Sequence, residues 1–170
     1  MMARQLYCPQ CGKASFERCN IKRFVCSECH FEFFFNAATT ASAIIIEDGK
    51  LLVAVRGRDP EKGMLDLPGG FVDPGETLEQ GVTREIKEEL GLDLCDLRYF
   101  TSGPTLYQYA NVDYHTCDTF FFARCEQYVG MRAGDDVAEL RWLPIESVTK
   151  DMLAFGNGDI VVSAIRHYEG

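Results

Sequence analysis

The sequence predicts a layered α+β domain, a mixed sheet with flanking helices, preceded by a small metal-stapled segment. Three observations predict it. Runs rich in β-branched and aromatic residues, each of strand length, are separated by turn signals. Thr77 to Leu90 carries Leu78, Val82, Ile86 and Leu90 at four-residue intervals, the stripe of an amphipathic helix. Residues 1–36 hold two C-x2-C pairs in a stretch too short to bury a core unaided.

The pairs are Cys8-Pro9-Gln10-Cys11 and Cys26-Ser27-Glu28-Cys29, with fourteen residues between Cys11 and Cys26. Each C-x2-C turn aims two thiolates at one tetrahedral ion, so two turns complete a closed Cys₄ shell for structural Zn²⁺. Gly12, directly after the second cysteine, lets the first knuckle turn back. The intervening KASFERCNIKRFV and the following FEFFF alternate as short strands do, which makes the segment look like a zinc ribbon. A redox C-x-x-C belongs at a strand-to-helix junction, and disulfides are rare in reducing compartments. His30 is too close to Cys29 to replace it, and Cys19 reads as a spare small residue. Cys95, Cys117 and Cys125 read as buried thiols in apolar strands.

Asn36 to Thr40 is small and polar and marks the boundary, giving a ribbon over 1–36 and a main domain over 37–170. Ala41–Ile46 and Leu51–Arg56 are partner strands across a Glu47-Asp48-Gly49-Lys50 turn with the Asp-Gly hairpin signal. Arg58–Gly63 is a charged loop leading to a short strand before Gly69-Gly70. After the helix come strands at Leu94–Thr101, Thr105–Tyr109, Thr116–Cys125 and Arg141–Leu143. Pro144–Val148 begins a helical turn, and Asp159–Tyr168 reads as a closing helix with Ile160, Val161, Ala164 and Ile165 on one face.

Glu85, Glu88 and Glu89 crowd one side of the first helix, related by three and four residues. Carboxylates at the edge of a core stripe need a partner. Lys87 lies around the helix from them, and Arg84 reaches only part of the cluster. A hard divalent cation resolves the conflict, and so does a solvated acidic face. On the helix alone the two readings stand level.

The 23-residue run Gly70–Leu92, GFVDPGETLEQGVTREIKEELGL, resembles the signature of the Nudix hydrolases, G-x5-E-x7-R-E-U-x-E-E-x-G-U, at all nine specified positions. The resemblance continues upstream through Gly63-Met64-Leu65-Asp66-Leu67-Pro68-Gly69, although the family often has tryptophan where Met64 stands. Downstream it includes Glu139-Leu140-Arg141-Trp142-Leu143-Pro144. It implies an α/β/α sandwich and metal-dependent hydrolysis of a nucleoside diphosphate linked to another moiety. It implies Glu85, Glu88 and Glu89 as ligands of Mg²⁺ or Mn²⁺, with the Gly70 carbonyl as a further ligand. Arg84 matches the residue that orients the glutamates, and Glu76 the acidic position that organises the loop. Such cations neutralise charge on adjacent phosphates and acidify the attacking water. The family draws its general base from a motif glutamate or a later acidic loop residue, and Asp135, Asp136 and Glu139 are the local candidates, with Glu139 favoured.

Nudix enzymes with an N-terminal ribbon resemble the NADH pyrophosphatases. Those carry a Ser-Gln-Pro-Trp-Pro-Phe-Pro run, whereas this chain has Thr101-Ser102-Gly103-Pro104-Thr105-Leu106-Tyr107-Gln108-Tyr109 at the comparable place. Substrate therefore stays open between NAD(H), an ADP-sugar such as ADP-ribose, and other nucleoside-diphosphate derivatives. Tyr107, Tyr109, Tyr114 and Phe120 to Phe122 offer rings for a base or for the core. A catalytically silent ligand-sensing module, its ribbon contacting a partner, is the alternative, and the intact glutamate set speaks against it.

The formal charge of −9, about −11 with four thiolates around one Zn²⁺, repels nucleic-acid backbones, and none is expected as partner. The basic cluster Lys13, Arg18, Lys22 and Arg23 reads as a solvated face. No apolar run approaches membrane-span length, the N-terminus lacks a secretory h-region, and a cytoplasmic location is the simplest reading. The family and the aromatic strands make a homodimer plausible.

Overall fold

In the computed structural model, which describes residues 5–110, 112–134 and 137–168, the chain divides between Ala37 and Ala38 into two units. The first is an antiparallel sheet of three short strands, β1 (Phe16–Arg18), β2 (Arg23–Cys26) and β3 (Glu32–Phe34), in the order β1-β2-β3. Its apolar contacts include a small stack of Phe16 on Phe24 and Phe31, with ring centroids 5.5 and 6.3 Å apart. Three of the four basic side chains of the cluster have local partners. Lys13 pairs with Glu28, Arg23 with Glu32, and Arg18 donates to the carbonyls of Asn20 and Ile21.

In the second unit the alternation along β4 (Ala38–Glu47) decides the layering. Ala41, Ala43 and Ile45 face helix α1 (Leu78–Leu90), packing on Val82, Ile86 and Leu90. Ile44 and Ile46 face helix α2 (Gly158–His167), packing near Val161 and Ala164. Both clusters are almost fully buried, so the sheet is covered on two faces as an α/β/α sandwich.

β4 runs parallel to β9 (Val112–Cys125), which pairs antiparallel with β8 (Leu94–Tyr109). On its other side β4 has two partners in succession. Its first half pairs with β7 (Gly69–Phe71), and its last residues turn through Asp48-Gly49 into β5 (Lys50–Arg56). Positive φ at both Asp48 (46°) and Gly49 (70°) is the mark of the tight hairpin that the Asp-Gly pair predicts. β5 then diverges from β4 to pair with β10 (Val137–Pro144), and the segment from β6 (Leu65–Asp66) to β7 fills the wedge between them. This wedge makes room for a cavity.

Besides earlier starts for β4, at Ala38 rather than Ala41, and for β9, at Val112 rather than Thr116, two strands differ from what the sequence predicts. β8 is one strand rather than two, because Pro104 sits at the outer end of the strand order, where its missing N–H costs no ladder bond. β10 begins four residues earlier than Arg141, drawn in by pairing with Arg56 and Val55. A third correction concerns thiols: Cys125 is buried, but Cys95 and Cys117 are exposed. Cys95 lies on the outermost strand, and Cys117 has the opposite facing to the buried Thr116 and Asp118.

Gly69 joins the wedge to β4 at a close backbone approach. A Cβ there would lie 2.3 Å from the Ala41 carbonyl oxygen, and its φ of +141° disfavours any side chain. Gly69→Ala should therefore destabilise the protein by about 3 kcal/mol in chemical denaturation. A change below about 0.5 kcal/mol would show that β7 is free to move off β4.

Candidate active site and structural metal site

The motif helix is set by its own ends. The Thr77 hydroxyl accepts from the Gln80 N–H while the Gln80 side chain accepts from the Thr77 N–H, and Gly91 closes the helix in the left-handed region. Gly81 is buried in the first half of the helix because a Cβ there would press to 3.0 Å on Val72. These anchors fix the rotation of Glu85 and Glu89 toward the wedge.

Arg84 is the hub of the acidic loop. Its guanidinium donates to both oxygens of Glu76 (2.8 and 3.0 Å), to Glu85 (2.8 Å), to Glu88 (3.1 Å) and to the Phe71 carbonyl (2.9 Å). Hydrogen bonds to Glu76 and Glu85 hold the guanidinium's pKa well above its usual range. The Arg84 bond, with the Asp73 N–H, holds Glu76 below its usual range. Lys87 is drawn away to Asp93.

Glu89 lies beyond the reach of Arg84. It accepts from the Gly69 N–H at 3.1 Å, and burial pushes its pKa up to about 7, with Glu85 and Asp66 adding repulsion. Gly70 completes the recess, since a Cβ on it would stand 2.5–2.7 Å from the Glu85 carboxyl atoms. A cation held by Glu85, Glu89 and the Gly70 carbonyl suits this donor set of hard oxygens. Glu88 is mostly exposed, and the three carboxylates are not gathered, because Arg84 holds two and the Gly69 amide the third.

These residues edge a cavity of about 320 Å³ in the wedge, which Gly70, Glu85 and Glu89 line together with residues outside the motif. Asp66 is half-buried and paired with Arg56 at 3.0 Å, and desolvation still raises its pKa to about 6. Asp118 is only 6% exposed and accepts from the Thr40 hydroxyl at 2.9 Å. The ring of Tyr107 meets Phe71 at 5.8 Å and Phe155 at 5.4 Å, and the Arg56 guanidinium covers the Phe155 face at 4.5 Å.

Of the aromatic candidates, Tyr107 reaches the cavity. Phe120 and Phe121 are core, and Tyr109 is exposed beside Tyr107. Phe71, Phe155, Asp66 and Asp118 are absent from the sequence reading of the site. Asp66 and Phe71 lie within the motif runs and Asp118 is a lone acid within the apolar run TCDTFFFARC, whereas Phe155 has no local signal. Asp135 and Asp136 lie outside the described residues.

Glu139 is exposed, does not line the cavity, and pairs with Arg141 at 2.5 Å. Glu139→Gln should keep turnover within about twofold of wild type. A loss of a hundredfold or more, typical of removing a general base, would return it to the mechanism.

The four cysteines form the one group of three or more ligating side chains, among the described residues, whose ligand atoms all lie within 4.8 Å of one another. Cys8–Cys29 and Cys11–Cys26 sulfurs stand 3.7 Å apart, and a tetrahedral Zn–S length of about 2.3 Å requires a spacing of about 3.8 Å. The two knuckles repeat one geometry. Gly12 N–H donates to the Cys8 carbonyl and His30 N–H to the Cys26 carbonyl, with φ of 70° and 61°. The donor set and spacing fit Zn²⁺.

Comparison with known proteins agrees with this geometry. Residues 37–162 match the family profile described as the NUDIX domain. An NAD-capped RNA hydrolase NudC from Vibrio atlanticus is 32% identical over 148 residues, covering 84% of this chain and 50% of that protein. The chain thus spans half the length of that relative. An ADP-ribose pyrophosphatase from Methanocaldococcus jannaschii is 33% identical over 144 residues, covering 82% of this chain and 80% of the other. A crystal structure of a MutT Nudix hydrolase from Burkholderia pseudomallei superposes with a TM-score of 0.65 at 27% identity, covering 75% of this chain and 97% of that one.

Proposed function

The chain belongs to the Nudix family, and on that footing we propose that it hydrolyses the pyrophosphate bond of an ADP-ribose-like or NAD(H)-like substrate, releasing a nucleoside monophosphate. The observation that carries this reading is the cavity in which Glu85 and Glu89 stand beside Gly70 while Arg84 fixes the loop through Glu76. A pair of half-buried carboxylates at the edge of a nucleotide-sized space has no structural use that apolar residues would not serve better. Glu85, Glu89 and the Gly70 carbonyl would hold Mg²⁺ or Mn²⁺, with Glu88 joining on release from Arg84. Bound there, the cation supplies charge neutralisation at the phosphates and a more acidic water. Arg84 keeps Glu85 and Glu76 in place.

Two relatives name two substrate types, an NAD-capped RNA for one and ADP-ribose for the other. ADP-ribose is the better match because the relative that names it is covered over 80% of its length. The acidic chain also suits a small substrate more than a polynucleotide. Parallel assays with ADP-ribose and NADH, products separated by chromatography, test the choice. AMP at the higher kcat/KM from ADP-ribose is expected. A preference for NADH would place the chain with the ribbon-bearing NADH pyrophosphatases, and AMP from neither would favour the silent sensing module. No helix among the described residues is long and apolar enough to cross a membrane.

A further inference from the structure

We propose that Asp118 reads the base of the substrate, its carboxylate accepting the exocyclic amino group of an adenine held against the Phe71–Tyr107–Phe155 wall. The inference rests on the nucleotide reading above and adds the residue that selects among nucleotides. Strand register places Phe71, Thr40, Asp118 and Gly103 in one row across β7, β4, β9 and β8. Farther along the same face the sheet carries Ile44, Ile46 and Phe120, all buried apolar side chains. At the cavity it changes to Thr40, Ser42, Thr116 and Asp118. A polar floor under an aromatic wall, in a sheet otherwise apolar, marks a surface made for a ligand rather than for packing.

The floor gives the acid one donor among the described residues. Thr40 already donates to one Asp118 oxygen, and Thr116 donates to the Thr105 carbonyl. Arg56 is committed to Asp66 and to the Pro60 carbonyl. Among the described residues no second donor reaches Asp118, though it is more than nine-tenths buried. A carboxylate accepts and does not donate. A ligand seated there must bring the proton itself, and the planar rings beside it suit a heteroaromatic donor. Two strand spacings, roughly 10 Å, separate the Phe71 and Asp118 backbones, a span that a purine and its ribose can bridge. The amino group of adenine meets this demand. The 6-carbonyl of hypoxanthine turns an acceptor on the acceptor at that position, and its N1–H donor stands one ring atom away from the amino group it lacks.

Calorimetric binding of AMP and of inosine monophosphate to the full chain in Mg²⁺ tests the assignment. Wild type is expected to favour AMP by about ten- to a hundredfold, the worth of a hydrogen bond to a charged group. Asp118→Asn, which keeps the shape and can still bond Thr40, should bring the ratio to about one or below by offering an N–H to the inosine carbonyl. Equal binding by wild type, a preference that survives in Asp118→Asn, or no binding of either nucleotide would overturn the assignment. The wild-type ratio needs no variant to fold. AMP release from ADP-ribose by the same wild-type preparation reports separately on the hydrolytic reading.

Discussion

Glu89→Gln should abolish metal-dependent hydrolysis while leaving the protein at least as stable as wild type. The carboxamide oxygen keeps the bond from the Gly69 N–H, so the backbone of the wedge is unaffected. What disappears is a charge that burial disfavours and that Glu85 and Asp66 repel. Losing a carboxylate ligand should lower kcat/KM by about three orders of magnitude. The sign of the pH dependence follows from the raised pKa. Between about 5 and 7 the metal-free folded protein binds protons at Glu89 that the unfolded chain releases, and Asp66, raised to about 6, acts in the same direction. Stability without added Mg²⁺ or Mn²⁺ should therefore fall as pH rises through this window, and less steeply in Glu89→Gln. Metal binding runs the other way, weakening below about pH 7 as the carboxylate takes up a proton. A variant that loses stability but keeps its turnover would make Glu89 a packing residue.

Removing zinc should unfold the N-terminal unit. Its three strands are three or four residues long, and Cys8 and Cys26 are its buried apolar side chains among the described residues. Structural Zn²⁺ contributes about 10–16 kcal/mol in comparable small units, far more than this ribbon's phenylalanine stack provides. One zinc per chain is expected by elemental analysis. Thiol titration of the native protein should find Cys19, Cys95 and Cys117, the exposed cysteines outside the metal site, and, after chelation, four more from that site. Proteolysis should then cut within residues 5–37. Seven reactive thiols before any chelator is added would show that the cysteines hold no metal.

The layers of the fold were legible because period-2 and period-3.6 patterns are local. Ala41–Ile46 alternates between two faces, and Leu78, Val82, Ile86 and Leu90 mark one stripe, so both helices and the hairpin follow from short windows. The continuous β8 was not, since Pro104 breaks a strand only if that strand is internal, and strand order is a long-range property. The site divides the same way. Arg84, Glu85 and Glu89 sit on one helix at fixed offsets, whereas Asp118, Phe71 and Phe155 come from three distant segments that meet at the wedge. Phe155 reaches it through a left-handed backbone (φ 57°) that no residue type announces. Glu139 drew attention by its place in a familiar run, but its partner Arg141 two residues along turns it to solvent.

The most direct test of hydrolysis at this carboxylate site is the rate of AMP release from ADP-ribose as Mg²⁺ is titrated into EDTA-treated, zinc-loaded protein. The geometry of Glu85, Glu89 and Gly70 predicts no release without Mg²⁺ and a saturable rise to a plateau with it. Release that is equally fast in EDTA, or absent at every Mg²⁺ and Mn²⁺ concentration in a folded protein, would contradict it.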